Sequence, residues 1–149
     1  MRPQEAEAVV EMVAALALAL PAPRPRLTAE NLRTEAAGPE PLIDCLVAEI
    51  GGELAGCSLT ILTFSTWRNA RGIYLCDLYV RPEARGRGLG EALLKQAILR
   101  GRNRGARFVK LEVDAGNLRA QAFYERLGFR RKPDEKLLIL EEGDAQALI

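Results

Sequence analysis

The sequence contains no histidine, so imidazole catalysis and histidine-bound metal are excluded from the outset. Cysteine is scarce. Cys45, Cys57 and Cys76 lack metal-ligand spacing, each lies in an apolar run, and an odd number argues against a disulfide framework. No metal site is expected. Aromatic residues make up 5% of the chain, with one tryptophan, and Phe108 is the only aromatic residue in the basic stretch 81–110. Stacking platforms are therefore few, and no nucleic-acid partner is expected. A long uninterrupted apolar run is also missing. The stretch Val9–Leu20 contains Glu11 and follows one arginine and two glutamates, which is wrong for a secretory leader, and it is too short to span a bilayer. An amphipathic helix, a cytoplasmic protein and no membrane partner are expected.

What is present fits a soluble globular chain. Apolar residues make up 48% and charged residues 28% of the 149, enough for one domain over 1–149 with its own core. The net charge of +1 is unevenly spread. Residues 1–66 hold four arginines and nine acids, a net of −5; residues 81–110 hold nine basic residues and two acids, a net of +7; the last 16 hold one lysine and five acids, a net of −4. A basic middle between acidic ends is what a local anion site would give, and equally what a solvated helix face would give.

The patterning predicts nine elements. Residues from about 4 to 20 read as a helix stopped by Pro21, followed by a proline-rich loop to Pro25. Thr28 caps a second helix, Ala29–Glu35, ending at Gly38-Pro39. Leu42–Ile50 and Glu53–Phe64 form a hairpin about Gly51-Gly52, which pairs Ile50 with Glu53 and hence Cys45 with Ser58, leaving Cys57 facing the other way. Ile73–Val80 is apolar at nearly every position, as in a central strand, and Asp77 interrupts it. A helix over Gly88–Arg102 follows, then a strand over Arg107–Val113 with Lys110 and Glu112 on one face, a helix over Asn117–Leu127, and a last strand over Leu137–Glu141. The crossover through the third helix favours parallel pairing of Ile73–Val80 with Arg107–Val113. The fold class is α/β: a mixed sheet with helices on both faces.

The segment Arg85-Gly86-Arg87-Gly88-Leu89-Gly90-Glu91 joins that central strand to the third helix. Its glycines permit a tight turn and close approach of a ligand, the backbone N–H groups at the start of a helix favour an anion, and Arg85 and Arg87 add charge-assisted contacts. A pyrophosphate suits it; a plain strand-to-helix turn is the simpler alternative. Neither a P-loop nor a dinucleotide fingerprint fits, because no Lys-Ser or Lys-Thr follows the glycines and position 91 is Glu.

Arg85-x-x-Gly88-x-Gly90 resembles the signature of the Gcn5-related N-acetyltransferases (GNAT), and Leu78-Tyr79-Val80-Arg81-Pro82 resembles their strand into it. Asn117-x-x-Ala120-x-x-Phe123-Tyr124-x-x-Leu127-Gly128-Phe129 is similar to their second motif. Phe64-Ser65-Thr66-Trp67 and Ile73–Val80 look like the diamine branch, the spermidine/spermine and thialysine acetyltransferases, as do Leu27–Leu32 and Cys45–Glu49. Two departures stand out: Cys76 occupies a position where the branch often has Glu, and only Met1-Arg2-Pro3 precedes the first helix where the family has a full strand.

The resemblance implies transfer of an acetyl group from acetyl-CoA, as co-substrate, to a primary amine by direct attack in a ternary complex. A small polyamine- or lysine-like acceptor is the leading expectation. A protein amine, a drug amine, and a catalytically idle acyl-CoA-binding module are the alternatives. It further implies that coenzyme A is held by Leu78, Tyr79 and Val80, by Arg85 through Glu91, and by Asn117, Ala120 and Tyr124. A backbone N–H near Leu78 or Val80 would polarise the thioester carbonyl. Tyr124 would protonate the leaving sulfur. Trp67, Cys76 and Asp77 would line the acceptor pocket, with Asp77 a candidate base, substrate anchor or structural acceptor, and a water chain an alternative base. A homodimer is implied by the same analogy.

Overall fold

The structure is a computed structural model. It describes residues 1–18 and 24–146. The chain forms two compact units, Met1–Gly116 and a second from Asn117 onward.

In the first unit a short 3-10 turn, Pro3–Glu5, leads into α1 (Ala6–Leu18), and α2 (Ala29–Ala37) follows. The expected end of the first helix near Leu20, and most of the proline-rich loop, lie outside the described residues. Thr28 caps α2 as its position predicts, its Oγ1 accepting the Asn31 N–H at 3.1 Å. Four strands follow, β1 (Ile43–Ile50), β2 (Glu53–Ser65), β3 (Ala70–Val80) and β4 (Ala106–Leu111), with α3 (Leu89–Asn103) crossing between β3 and β4. The sheet order is β1-β2-β3-β4; the first two pairings are antiparallel and β3–β4 is parallel. The second unit holds α4 (Leu118–Arg126) and α5 (Glu142–Gln146).

Helices cover both faces. On one, Ala6, Val9, Met12 and Val13 of α1 recur at helical spacing and pack with Leu32 of α2 against Cys45, Cys57, Leu59 and Tyr79. Met12, Leu32 and Val9 are fully buried, each contributing roughly 1.5–3 kcal/mol. On the other face, Leu93 and Ala97 of α3 pack on Leu46, Ile73 and Ala106. Ser58 lies under α3, buried, and its hydroxyl has no hydrogen-bond partner among the described residues.

Two sequence expectations are corrected. Ile50 does pair with Glu53, but a bulge opposite Ala48 and Glu49 leaves Ala55 as an extra residue, so Cys45 faces Leu59 rather than Ser58. The one-residue slip puts Cys45 and Cys57 on the same face, in the same core. Both thiols are free, and burial pushes them up to about 11 and about 12. The second correction is Leu137–Glu141, which forms no strand; Leu137, Leu138, Ile139 and Leu140 are exposed. Its alternation is absent and its apolar run is short, so the strand reading rested on propensity, which tertiary context overrides. Among the described residues no helix is long and apolar enough to cross a membrane.

Candidate functional site

Strand β3 is paired on both sides only for its first half. The last pair with β4 is Leu75 with Leu111, while β3 runs on to Val80 paired with β2 alone. From Cys76 to Val80 every second backbone N–H and C=O therefore points into the gap that β4 vacates. Such groups can pair with an extended, amide-bearing ligand as another strand would. The cofactor-binding expectation for Leu78, Tyr79 and Val80 falls on this stretch.

A bulge opens at the same point. Leu59 pairs with Asp77 and Thr60 with Leu75, so Cys76 is the extra residue. Strict alternation would put Asp77 beside Ile73 and Leu75 under α3. The bulge instead turns Asp77 and Tyr79 toward α1 and α2, where Tyr79 joins the Cys57–Leu59 core. Burial holds the Asp77 carboxyl above the usual carboxylate range. Burial also pushes the Cys76 thiol up to about 11, with the Asp77 charge adding to it, so Cys76 is a neutral thiol at pH 7 and no substitute for a carboxylate base. Its Sγ lies 3.9 Å from the Tyr74 carbonyl oxygen.

Three residues that the sequence did not assign to the site, Tyr74, Lys110 and Glu112, complete this face. Tyr74 pairs with Lys110 across β3–β4, and the Lys110 ammonium sits 5.4 Å from the Tyr74 ring centroid. Glu112 lies just beyond β4; burial first, then the neighbouring Glu112 charge, pushes the Tyr74 phenol up to about 12. Asp77 and Cys76 also act on its charge. Alternation along β4 gave the signal that Lys110 and Glu112 share a face; the parallel register that brings Tyr74 to them is non-local.

The turn after β3 is anchored at its entry. The Arg81 N–H donates to Ala55 O and Arg81 Nε to Leu54 O, both at 2.8 Å, so the carbonyl of the bulged Ala55 is used here. Arg85 Nε donates to Val80 O at 2.9 Å, and its guanidinium lies 5.8 Å from the Tyr79 ring centroid. Gly86 and Gly88 take φ of 78° and 77°, the left-handed region that only glycine adopts without strain, and a Cβ at either would meet no protein atom within 4 Å. Their surroundings are open, so backbone conformation rather than protein packing requires glycine there. The first intrahelical bond of α3 is Ala92 N–H to Gly88 O at 2.9 Å, so Leu89 and Gly90 stand in the first turn, where backbone N–H groups lack helical acceptors. Arg87 lies between the two glycines and is exposed, and the Glu91 side chain pairs with Lys95 at 2.7 Å, one turn on, leaving its backbone to the helix start. This cradle fits a diphosphate by its donor set and dipole.

In the second unit, Asn117 caps α4, its Oδ1 accepting the Ala120 N–H at 3.1 Å. Tyr124 lies two turns in, with its ring edge-on to Phe123 and Phe129 at 5.1 and 5.4 Å. Asn117, Ala120 and Tyr124 thus follow one another along α4.

The structure brings Cys76, Asp77, Leu78, Tyr79 and Val80 together with the turn from Arg85 to Glu91. It does not bring Trp67 to them. Trp67 is 98% exposed at the β2–β3 hairpin tip, at the opposite end of β3 from the turn. At about 3.3 Å per residue the two ends of β3 are roughly 30 Å apart. Among the described residues no group of three His, Cys, Asp or Glu is placed to hold a metal.

Comparison with known proteins gives three findings. A family model described as "Acetyltransferase (GNAT) family" matches residues 9–129. The chain is 36% identical over 111 residues to a thialysine N-epsilon-acetyltransferase of Bos taurus, covering 69% of this chain and 65% of that protein, so it spans a little under two thirds of that relative's length. It is 32% identical over 83 residues to an L-methionine sulfoximine/L-methionine sulfone acetyltransferase of Pseudomonas aeruginosa, covering 54% of this chain and 48% of that protein. Among solved structures, a mutant protein from Bacillus halodurans superposes with a TM-score of 0.79 at 23% identity, covering 95% of this chain and 97% of that one, and a ribosomal-protein-alanine N-acetyltransferase from Brucella melitensis with 0.75 at 19%, covering 94% and 96%. At these identities the likeness is one of fold.

Proposed function

We propose, because this chain belongs to the Acetyltransferase (GNAT) family, that it moves an acetyl group from acetyl-CoA to a primary amine of a small molecule. The observation that carries this reading is the parting of β3 from β4 after Leu75, with the glycine turn at the end of the freed strand.

Acetyl-CoA supplies the thioester. The turn from Gly86 to Gly90 holds its diphosphate, and the open side of Leu78–Val80 receives the amide-bearing arm and donates an N–H to the carbonyl oxygen as charge gathers there, an interaction worth roughly 3 kcal/mol. The acceptor enters from the α1/α2 side, where Asp77 and Glu112 offer two carboxylates on one face. An ammonium group gives its proton to a carboxylate, directly or through water; the free amine attacks the carbonyl carbon; the C–S bond breaks as Tyr124 gives its hydroxyl proton to the sulfur, and the proton then lost from the new amide nitrogen returns through water to the Tyr124 phenolate. Glu112, beside Tyr74, is the base we assign, and half-buried Asp77 is the second contact for a cationic acceptor. Two carboxylates on one face favour an acceptor with a further positive charge, a polyamine- or lysine-like molecule, and the relatives named for amino-acid-like acceptors support this class.

The test is thiol release from acetyl-CoA over a panel of diamines, lysine analogues, peptides and aminoglycosides. Turnover greatest with small diamines or lysine analogues is expected. Binding of acetyl-CoA with no release over the whole panel would mean an acyl-CoA-binding module, and no binding would remove the transferase reading. Tyr124→Phe is expected to lower kcat about a hundredfold and leave acetyl-CoA affinity within twofold; an unchanged kcat takes the acid role from Tyr124. A homodimer fits the same reading: the exposed Leu137–Leu140 run is apolar surface of the kind subunit contacts cover, and sedimentation at a monomer mass would dismiss it.

A further inference from the structure

At the end of β3 away from the glycine turn, three elements converge. The β2–β3 hairpin brings Trp67, Arg68 and Arg71; the end of α3 brings Arg102 and Arg104; the start of β4 brings Arg107. Contacts hold them together: the Arg68 guanidinium lies 5.2 Å from the Phe108 ring centroid, Arg71 Nη1 donates to Arg104 O at 3.1 Å, and Arg71 pairs with Ala106. All five arginines are exposed, and none makes an ion pair among the described residues. The neighbouring Asp44 is engaged by Arg100 at 2.8 Å. Arginines at a helix C-terminus answer the helix dipole, which accounts for Arg102 and Arg104; Arg68, Arg71 and Arg107 belong to other elements.

The patch is not purely charged. A groove of about 400 Å³ runs beside β4, with a floor of Ile73, Ile98, Ala106 and Val109 and with Arg102 and Arg107 among its lining residues. Phe64, 57% exposed, pairs across the hairpin with Arg71, and Trp67 projects fully into solvent beside Arg68. Sequence order separates these aromatics from the basic stretch 81–110, whose one aromatic residue is Phe108; the hairpin returns them to it.

We propose that this end of the molecule binds single-stranded nucleic acid, with the arginines along the phosphates and Trp67 stacked on a base. An acidic peptide would satisfy the arginines but would leave the exposed tryptophan and the apolar groove without a planar partner. Stacking on aromatic side chains within a basic groove is how proteins hold unpaired strands without reading sequence. The site lies outside the proposed acetyl-transfer machinery and stands or falls independently of it.

Trp67 is the chain's single tryptophan, so its fluorescence reports on the patch alone. Titration with thymidine DNA and uridine RNA oligomers of about twelve nucleotides should quench it saturably. If about four phosphates are neutralised, affinity should fall roughly fiftyfold between about 50 and 200 mM salt. Arg102→Glu with Arg107→Glu should weaken binding at least about tenfold while acetyl-CoA affinity holds. Should that pair fail to fold, Arg68→Gln with Arg104→Gln should still weaken it about threefold or more. Binding of either strand type supports the proposal. Absence of quenching at low salt, variants that bind like the parent, or polyglutamate competing as well as the oligomers at equal charge would overturn it.

Discussion

The two ends of β3 are built from the same strand and answer to different constraints. At the C-terminal end β4 leaves the sheet, Cys76 bulges, and Gly86 and Gly88 take positive φ in open surroundings. At the N-terminal end β3 is paired on both sides, and Asn69 turns the hairpin with φ of 44°. At one end both ladders are present, with Arg107 an extra residue in β4, and what projects is side chain, arginine and tryptophan. At the other end pairing is withheld, and what projects is backbone N–H and C=O. A fully paired strand end can offer only side chains to a partner; an unpaired one can offer its main chain, which suits an extended ligand carrying amides and phosphates.

The largest expected effect lies at the open end. Glu112→Gln should lower kcat/KM about a hundredfold, and Tyr74→Phe should lower it less. A kcat/KM unchanged by Glu112→Gln would move the base to Asp77 or to water. Next, Gly88→Val imposes a left-handed conformation on a branched residue, a strain of about 1–2 kcal/mol, and should weaken acetyl-CoA binding about tenfold. The matching change at the closed end, Asn69→Gly, relieves a positive φ and should leave that binding unchanged; equal effects from the two would erase the contrast.

Asp77→Asn separates function from stability. Burial raises the Asp77 pKa in the folded state, so the fold binds more protons than the unfolded chain and loses stability as pH rises through that range. The variant should therefore melt higher than the parent at neutral pH, lose that advantage at pH low enough to protonate the parent carboxyl, and still turn over more slowly. A lower melting temperature at pH 7 would show instead that the carboxylate is a structural acceptor. The smallest effect belongs to the middle of the sheet, where Ser58→Ala removes a buried hydroxyl that lacks a partner. A gain of about 1 kcal/mol, or roughly 3 °C in melting temperature, is expected, and a loss would reveal a bond that the hydroxyl makes.

Much of this arrangement was legible along the chain. Element order through α4, the parallel crossover, the Thr28 cap and the glycine turn all follow from local spacing, and each is where that spacing puts it. Register was less accessible. Cys45 faces Leu59 because Ala55 is an extra residue, and nothing in the apolar alternation of β2 marks a bulge there. Asp77 faces α1 and α2 because Cys76 is another. Glu112 was visible as one face of an alternating strand, but its partner Tyr74 lies 38 positions earlier, across a helix. Leu137–Glu141 has the residues of a strand and forms none.

By itself the sequence determined which segments up to α4 are helix or strand, which turn must be glycine and which chemistry histidine's absence forbids, because these depend on backbone sterics and on spacing within a few residues. Only the tertiary structure decided which face Asp77 occupies, that Tyr74 lies beside Glu112, and that Trp67 stands with distant arginines rather than with the glycine turn. A single unpaired residue in a ladder reverses every side chain beyond it, and such slips are settled by packing between segments far apart in the chain.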